Sequence, residues 1–434
     1  MATELLKDVL DLYSYYYMYA EWEAVNTDII MNPNTPPEIL DRLFVSHQDD
    51  RRVIRGISTH PNTPADILRK LALDPNDAIR WGVAENVNTP VDVLTMLSED
   101  PSNVIRYRVA MNARTDVEDL KKLAGESDKM VRSGVAANEN TSVEWLDRLA
   151  DDRDEAVRLA VANNPSTLES TLERLSNDGS FGVRAAVAGN NNTSTSVLSA
   201  LADDSYMNVR ERIAKNPHTP VPVLKQLLKD REIAVRGGVA ENVSTPRQLM
   251  FILAGDEKQI IRSGVASNPN ASPEVLRILA EDSDGYVRKA VARNKRTTGD
   301  VLTQLSKDED WRVCEGVATN TSTPKEVLEV FANNRDKYVR KAVASNGSTP
   351  AEVLFRMTDD NEWLVRENVV RNPNAPIEAL MKLKNDKEWG VAKLVLKHPN
   401  MTREALIILA GDTNYRIRFR AKIALMKYEG KESS

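Results

Sequence analysis

The feature that most constrains this chain is a sequence unit that recurs every 26 residues. Each unit contains an Asn, a Thr-Pro three residues later, an apolar pair, an Asp, an aliphatic-Arg pair and a second apolar pair, as in residues 346–372. A fixed period of roughly 20 to 50 residues is typical of solenoids, in which each unit packs on its neighbours. About fifteen copies therefore predict one elongated repeat domain. The Asn recurs as Asn86, Asn112, Asn138, Asn164, Asn190, Asn216, Asn242, Asn268, Asn294, Asn320, Asn346 and Asn372, with His60 and His398 in the same frame and Asn32 offset by 28.

Each unit is predicted to form two short helices, which makes the fold all-α. A Thr precedes the first apolar run, often followed by Pro and then by an acid, as in Thr63 with Asp66. A hydroxyl at the N-cap, Pro at the first helical position and a carboxylate two residues later form a capping box. We therefore expect the first helix to have Thr as its N-cap. The candidate caps are Thr35, Thr63, Thr89, Thr115, Thr141, Thr167, Thr193, Thr219, Thr245, Thr297, Thr323 and Thr349.

The second helix of each unit is expected to follow the Asp. Valines four residues apart, such as Val131 and Val135, share one face of this helix. The small residue between them, Gly134 in this unit, allows helices of adjacent units to approach closely. The repeat Asn then falls where the second helix ends. Because Asn is the best non-glycine choice for a left-handed residue after a helix, we expect it to adopt that conformation.

Residues 1–30 lie outside the repeat and are predicted to form an N-terminal, aromatic-rich capping helix. Its rings could cover the open apolar face of the first unit or bind a partner, and both readings stay open. The solenoid is predicted to span 31–424 and a tail 425–434. The crowded aromatic side chains are Tyr13, Tyr15, Tyr16, Tyr17, Tyr19 and Trp22.

Composition narrows the classes of function. The formal net charge is −6, with both signs interspersed, which makes nucleic acid an unlikely partner. The single cysteine, Cys314, cannot build a disulfide framework or a thiolate metal cluster. No catalytic motif stands out, so we expect no enzyme, no cofactor and no metal. No apolar run reaches about 18 residues, which predicts a cytoplasmic protein without a membrane span.

Units such as NPNTPPEILDRL at 32–43 and NPHTPVPVLKQLLKDREIAVRGGVAEN at 216–242 resemble the variant leucine-rich repeat family, which is related in pattern to HEAT-like repeats. The resemblance covers about residues 31–424. It implies a right-handed α-solenoid of paired helices, sometimes alternating α with 3₁₀. Some members of that family carry an N-terminal iron–sulfur cluster bound by cysteines. This chain has no cysteine in that region, so the cofactor is not expected here.

The resemblance also implies an Asp and an Arg six residues apart that hydrogen-bond between neighbouring repeats. Cys314 and Ala392 break this spacing, because they stand where an Arg is expected. The Arg column could bind phosphates, but its place beside a buried Val favours a structural ladder. The predicted ladder pairs are Asp74 and Arg80, Asp100 and Arg106, Asp152 and Arg158, Asp230 and Arg236, Asp282 and Arg288, and Asp360 and Arg366.

Aromatic residues at one repeat position form the candidate partner-binding set. Stacked repeats place equivalent positions about 10 Å apart, so the rings would line one edge of the C-terminal third. They could equally pack over the starts of their helices. The set comprises Trp311, Trp363, Trp389 and Tyr415, with Tyr286 and Tyr338 one residue later in their units and a smaller patch at Trp81 and Tyr107.

These patterns favour a non-catalytic scaffold that binds a protein or peptide. One alternative is a HEAT-like nucleic-acid-binding protein resembling the alkylpurine glycosylases, which would require a basic face and residues converging on one base. Another is a structural component of a virion or other large assembly, for or against which the sequence carries no feature.

Overall fold

The computed structural model describes residues 30–414 together with 417, 418, 421, 424 and 425. All regular secondary structure in this part of the chain is helical, which confirms the predicted all-α class. The predicted capping helix lies outside the described residues except for Ile30, and so does the predicted tail except for Leu425. Tyr415 also lies outside them.

The chain divides into two compact units, the first ending at Pro220 and the second beginning at Val221. Both consist of paired helices that repeat with the sequence period. In the first unit, the first helices of the repeats are Pro37–Ser46, Ala65–Leu71, Val91–Leu97, Val117–Ala124, Val143–Leu149, Glu169–Leu175 and Thr195–Ala200. Its second helices are Arg51–Thr59, Asp77–Glu85, Asn103–Met111, Lys129–Ala137, Glu155–Asn163, Phe181–Gly189 and Met207–Lys215.

The second unit repeats the same arrangement. Its first helices are Val221–Leu227, Arg247–Leu253, Pro273–Leu279, Gly299–Leu305, Lys325–Phe331, Ala351–Arg356, Ile377–Leu383 and Arg403–Ala410. Its second helices are Ile233–Glu241, Gln259–Ser267, Gly285–Arg293, Trp311–Thr319, Lys337–Ser345, Trp363–Arg371 and Trp389–Val395. All of these helices are α, and single 3₁₀ turns follow two first helices at Leu201–Asp203 and Met357–Asp359.

The core lies between the two helix rows of each unit. Leu68 on a first helix and Val131 and Val135 on a second helix are fully buried, as their spacing predicts. Second helices of successive repeats pack closely because the side chains at their contact are small. A Cβ added to Gly264 would lie 3.2 Å from the Cβ of Ala240 in the preceding repeat, so a larger side chain would force the helices apart.

The predicted role of Thr as the helix cap is wrong. The first helix of the second repeat begins after Pro64, which is its N-cap and provides no side-chain hydrogen bond. The buried hydroxyl of Thr63 donates to the carbonyl of Ile57 at 2.6 Å, at the end of the preceding second helix. Thr therefore pairs a helix-end carbonyl, because it lies one residue too early to reach the amides of the next helix.

The predicted left-handed conformation of the repeat Asn is also wrong. Asn268 is extended, with φ −63° and ψ 126°. No residue in the described part of the chain has a positive φ. The helix end is not closed by a left-handed turn because the side chains of Thr and Asn bind its carbonyls instead, as shown below.

Candidate functional site

The arginines of the second helices bridge successive repeats. Arg80 donates from Nη1 to the carbonyl of Asp74 in its own repeat at 2.8 Å, and from Nε to the carboxylate of Asp100 in the next repeat at 2.7 Å. The Asp and Arg of a predicted pair, six residues apart, are therefore joined by a hydrogen bond from the guanidinium to the backbone carbonyl of the Asp. The carboxylate of Asp100 faces the Arg that lies 20 residues earlier.

This ladder runs through both units and includes arginines outside the predicted pairs: Arg184 and Arg262, which also follow an Asp by six residues, and Arg132 and Arg340, which do not. Arg106 pairs with a Glu instead of an Asp, at 2.7 Å. The other bridges of this kind are Arg132 to Asp152, Arg158 to Asp178, Arg184 to Asp204, Arg236 to Asp256, Arg262 to Asp282, Arg288 to Asp308, Arg340 to Asp360 and Arg366 to Asp386.

The ladder carboxylates are stabilised in their charged form. Burial alone would raise the pKa of Asp256, but hydrogen bonds from Arg236 and from the backbone N–H of Lys258 outweigh it and hold that pKa below its usual value. The hydrogen bond to Asp256 correspondingly raises the pKa of Arg236. The guanidinium groups are therefore committed to carboxylates and carbonyls inside the protein, which leaves them unsuited to bind phosphates.

The chain compensates wherever a ladder Arg is missing. Where Ile54 replaces Arg, the carboxylate of Asp74 in the next repeat is bound instead by Arg51 at 3.0 Å. Where Ala392 replaces it, Lys384 binds Asp412. These substitute cations keep the carboxylates paired.

Cys314 shows the opposite compensation. Its buried thiol donates to the carbonyl of Asp308 at 3.3 Å, where other repeats place an Arg. The carboxylate expected 20 residues later is replaced by the neutral Asn334. Burial, together with Asp308 and Asp310, raises the pKa of Cys314 to about 11, so it is not a nucleophile at neutral pH.

The repeat asparagines form a second ladder that the sequence analysis missed. The Nδ2 of Asn268 donates to two carbonyls of the preceding repeats, those of Ala240 at 2.8 Å and Asn242 at 3.0 Å. Its Oδ1 accepts from the backbone N–H of Asn270 at 2.9 Å. In the same frame, His398 places Nε2 at 2.9 Å from the carbonyl of Asn372. The recurrence of Asn every 26 residues was the feature of the sequence that could have indicated this ladder.

The predicted aromatic edge lies at the starts of second helices in the second unit. Trp311, Trp363 and Trp389 are the first residues of their helices, and Tyr286 and Tyr338 are the second residues of theirs. Trp311 is 43% exposed, Trp363 48%, Tyr338 45% and Tyr286 56%, and Trp389 is half-buried. Four rings thus leave close to half of their surface in solvent.

Two neighbouring contacts join parts of this edge. The rings of Trp311 and Tyr338 stack with centroids 5.5 Å apart. Arg312 lies over the ring of Tyr286, 5.0 Å from its centroid, and also hydrogen-bonds its hydroxyl at 3.1 Å. The edge is therefore partly preorganised by contacts between consecutive repeats.

The smaller predicted patch lies in the first unit. Trp81 and Tyr107 are both half-buried, and Arg108 lies 4.6 Å from the centroid of Trp81 and 5.8 Å from that of Tyr107. Another ring contact, between Phe181 and Tyr206 at 4.7 Å, lies outside the predicted set, although Phe181 occupies the same repeat position as Trp311.

Neither a metal site nor a membrane-spanning helix is present among the described residues. No group of three or more His, Cys, Asp or Glu side chains there could hold a metal ion. Within the same residues, no helix is long and apolar enough to cross a membrane.

No protein-family model and no curated protein matches the chain. A solved structure described as a leucine-rich repeat variant with a novel repetitive motif is 26% identical, covering 50% of this chain and 86% of that one, with a TM-score of 0.38. A structure of Kap95p bound to RanGDP is 10% identical, covering 93% and 60%, with a TM-score of 0.32. An engineered protein is 18% identical, covering 91% and 98%, with a TM-score of 0.23. The chain is similar to these proteins, and the repeat fold itself is evident from its own helices.

Proposed function

We propose that this chain is a non-catalytic scaffold that binds a protein or peptide partner along the aromatic edge of its second unit, formed by Tyr286, Trp311, Tyr338, Trp363 and Trp389. The observation that carries the proposal is the exposure of four of these rings, all but Trp389, which is 48% for Trp363. Large aromatic side chains are the commonest anchors of protein interfaces, where burying one contributes about 2 kcal/mol or more.

The repeat frame does not require a ring at this position. The equivalent first residues of earlier second helices are Asp77, Asn103, Lys129 and Glu155, and those helices pack in the same way. A ring needed for packing should recur throughout the array, whereas the first unit carries one ring at this position, Phe181, and the others lie in the second unit. Their concentration supports a role in recognition.

The Arg and Asn ladders between repeats also support a scaffold role. Side chains that repeat in nearly every unit, such as Arg236 and Asn268, are committed to bonds between repeats. Catalysis requires a singular constellation of nucleophile, base and orienting group, whereas these polar side chains form a periodic lattice.

The test is capture of partners from the source organism with the wild-type chain and with Trp363→Ala/Trp389→Ala. We expect the double variant to lose the captured partner while its far-ultraviolet circular dichroism and melting midpoint stay close to wild type. Trp145→Ala is the matched control, because Trp145 lies on a first helix of the first unit and stacks with Arg148 at 4.8 Å. Normal capture by the double variant, or its destabilisation by several kcal/mol, would show that the rings serve packing.

A further inference from the structure

A basic row accompanies the aromatic edge in the second unit. It occupies the fifth and ninth positions counted from the first residue of each second helix from Gly285 onward, and in the last of them the ninth position, Lys397, lies two residues beyond the helix end at Val395. Six of the charged residues at these positions are basic and two are acidic, although the whole chain carries a net charge of −6. The basic residues are Lys289, Arg293, Lys341, Arg371, Lys393 and Lys397, and the acidic ones are Glu315 and Glu367.

The two acidic residues of this row are already neutralised within it. Glu315 accepts from Arg293 at 2.7 Å and lies 3.9 Å from Lys289, and Glu367 is bound by Arg371 at 2.7 Å. Among the described residues, no ion pair involves Lys341, Lys393 or Lys397, and the last two are exposed. The row therefore presents unpaired positive charge.

The repeat frame does not require this charge either. The same two positions of five consecutive repeats in the first unit carry no basic residue and a single acidic one. They are occupied by Trp81, Glu85, Tyr107, Met111, Ser133, Ala137, Leu159, Asn163, Ala185 and Gly189. The second helices pack closely in both units, so the basic row is not needed to build the solenoid.

The row and the aromatic edge run side by side. Within one helix, Trp389 and Lys393 are four residues apart, which separates them by about 6 Å along the axis and places them on adjacent parts of one face. Tyr286 and Lys289, and likewise Tyr338 and Lys341, are three residues apart, which also places each pair on one face of its helix. One extended ligand lying across the second helices would meet rings along one side and ammonium groups along the other.

We propose that this face binds an acidic amphipathic segment of a partner protein, with apolar side chains on the aromatic edge and carboxylates over Lys341, Lys393 and Lys397. The inference rests on the proposed scaffold function and adds the chemistry of the partner. Charge complementarity supports it, since an acidic segment would be steered to this basic row although the chain as a whole is acidic.

The surroundings of the rings favour a peptide over a nucleic acid. The residue before each helix start is a carboxylate at Asp310, Glu362 and Glu388, and Asp284 and Asp336 hold the same place before the two tyrosine-bearing helices. Bases stacked on the rings would bring a phosphate backbone close to these acids. A peptide can place its apolar side chains there and its carboxylates over the lysines.

The test uses a fluorescein-labelled synthetic peptide that repeats Glu-Glu-Leu-Phe, titrated with the full chain by fluorescence anisotropy. We expect Lys393→Glu/Lys397→Glu to weaken binding about tenfold or more, and added salt to weaken wild-type binding. Trp363→Ala should weaken it as well. The matched control is Lys225→Glu/Lys229→Glu, which reverses the same charge at two exposed positions around a first helix of the same unit and should leave binding within about twofold.

Three results would overturn the inference: equal binding of the peptide that repeats Lys-Lys-Leu-Phe, equal effects of the two charge-reversal variants, or tighter binding of an oligothymidylate of similar length. The captured cellular partner separates this inference from the proposed function. If Trp363→Ala/Trp389→Ala abolishes capture but Lys393→Glu/Lys397→Glu does not, the scaffold stands and the acidic-partner inference fails. If the tryptophan variant captures normally, the proposed function fails.

Discussion

Arg236 donates a hydrogen bond from Nε to the Oδ2 of Asp256, 20 residues further along the chain, at a distance of 2.8 Å. Its Nη1 donates to the carbonyl of Asp230 at 2.9 Å in its own repeat. Both side chains of the bridge are 12% exposed. One guanidinium thus ties two successive repeats together at a largely dehydrated position.

Removal of this bridge should destabilise the chain. Arg236→Ala removes the guanidinium donor from the carbonyl of Asp230 and from the carboxylate of Asp256, which keeps the backbone N–H of Lys258, so we expect a loss of about 1–3 kcal/mol in the free energy of unfolding. Urea denaturation measures it. Arg231→Ala is the control, because that neighbouring side chain is 83% exposed and should contribute little. An unchanged midpoint for Arg236→Ala would show that the bridge contributes no stability.

The asparagine ladder predicts an unusual ranking of substitutions at Asn268. Asn268→Asp has nearly the same shape, but it removes the donor and faces two carbonyl oxygens with a buried carboxylate, which should cost at least about 3 kcal/mol. Asn268→His should cost less, because His398 occupies the same frame and lies within hydrogen-bond distance of the equivalent carbonyl. Thermal and urea melts of the two variants measure these losses. A larger loss for Asn268→His than for Asn268→Asp would contradict the role of the amide as a donor to the two carbonyls.

Repair of the ladder gap should stabilise the second unit. Cys314→Arg would place donors near the carbonyl that the thiol now contacts, and Asn334→Asp would supply the missing carboxylate in the next repeat. We expect the double variant to gain about 1 kcal/mol. Neither single variant should match it, because each leaves one charge without its partner. A double-mutant cycle from denaturant melts measures the coupling, and additive effects would argue against a direct bridge.

The ladder carboxylates predict acid sensitivity. Hydrogen bonds from arginines hold the pKa values of Asp152, Asp178, Asp204, Asp256, Asp282 and Asp386 below the usual value despite burial. Because the folded-state pKa is the lower one, their contribution is complete above the unfolded value of about 3.9 and disappears as the pH falls through the folded-state pKa. Stability from these groups should therefore fall below about pH 4.

Urea midpoints measured across the acidic range test this prediction, with Asp178→Asn as the comparison. That variant should be less stable at neutral pH and show a shallower loss on acidification, because it lacks one of the titrating groups. Stability that increases as the pH drops below 4 would contradict the assignment.

The sequence by itself determined the repeat, the all-α class and the buried stripes. The period of 26 and the spacing of residues such as Val131 and Val135 are local properties, and they specify which face of each helix is apolar whatever lies next to it. The position of the aromatic residues in one register was visible for the same reason. The sequence did not show that these rings are exposed, because a ring at a helix start can either pack against its neighbours or face solvent.

Only the tertiary structure decided the partners of the polar side chains. Thr63 fits a capping box by pattern, and Asn268 fits a left-handed helix end, yet both bind carbonyls instead. The carboxylate partner of Arg236 lies 20 residues away in the next repeat, not six. The physical reason is that a buried polar group must be satisfied by whichever donor or acceptor the packing brings near it. In a solenoid, that neighbour belongs to another repeat, and its position is set only when the helices stack.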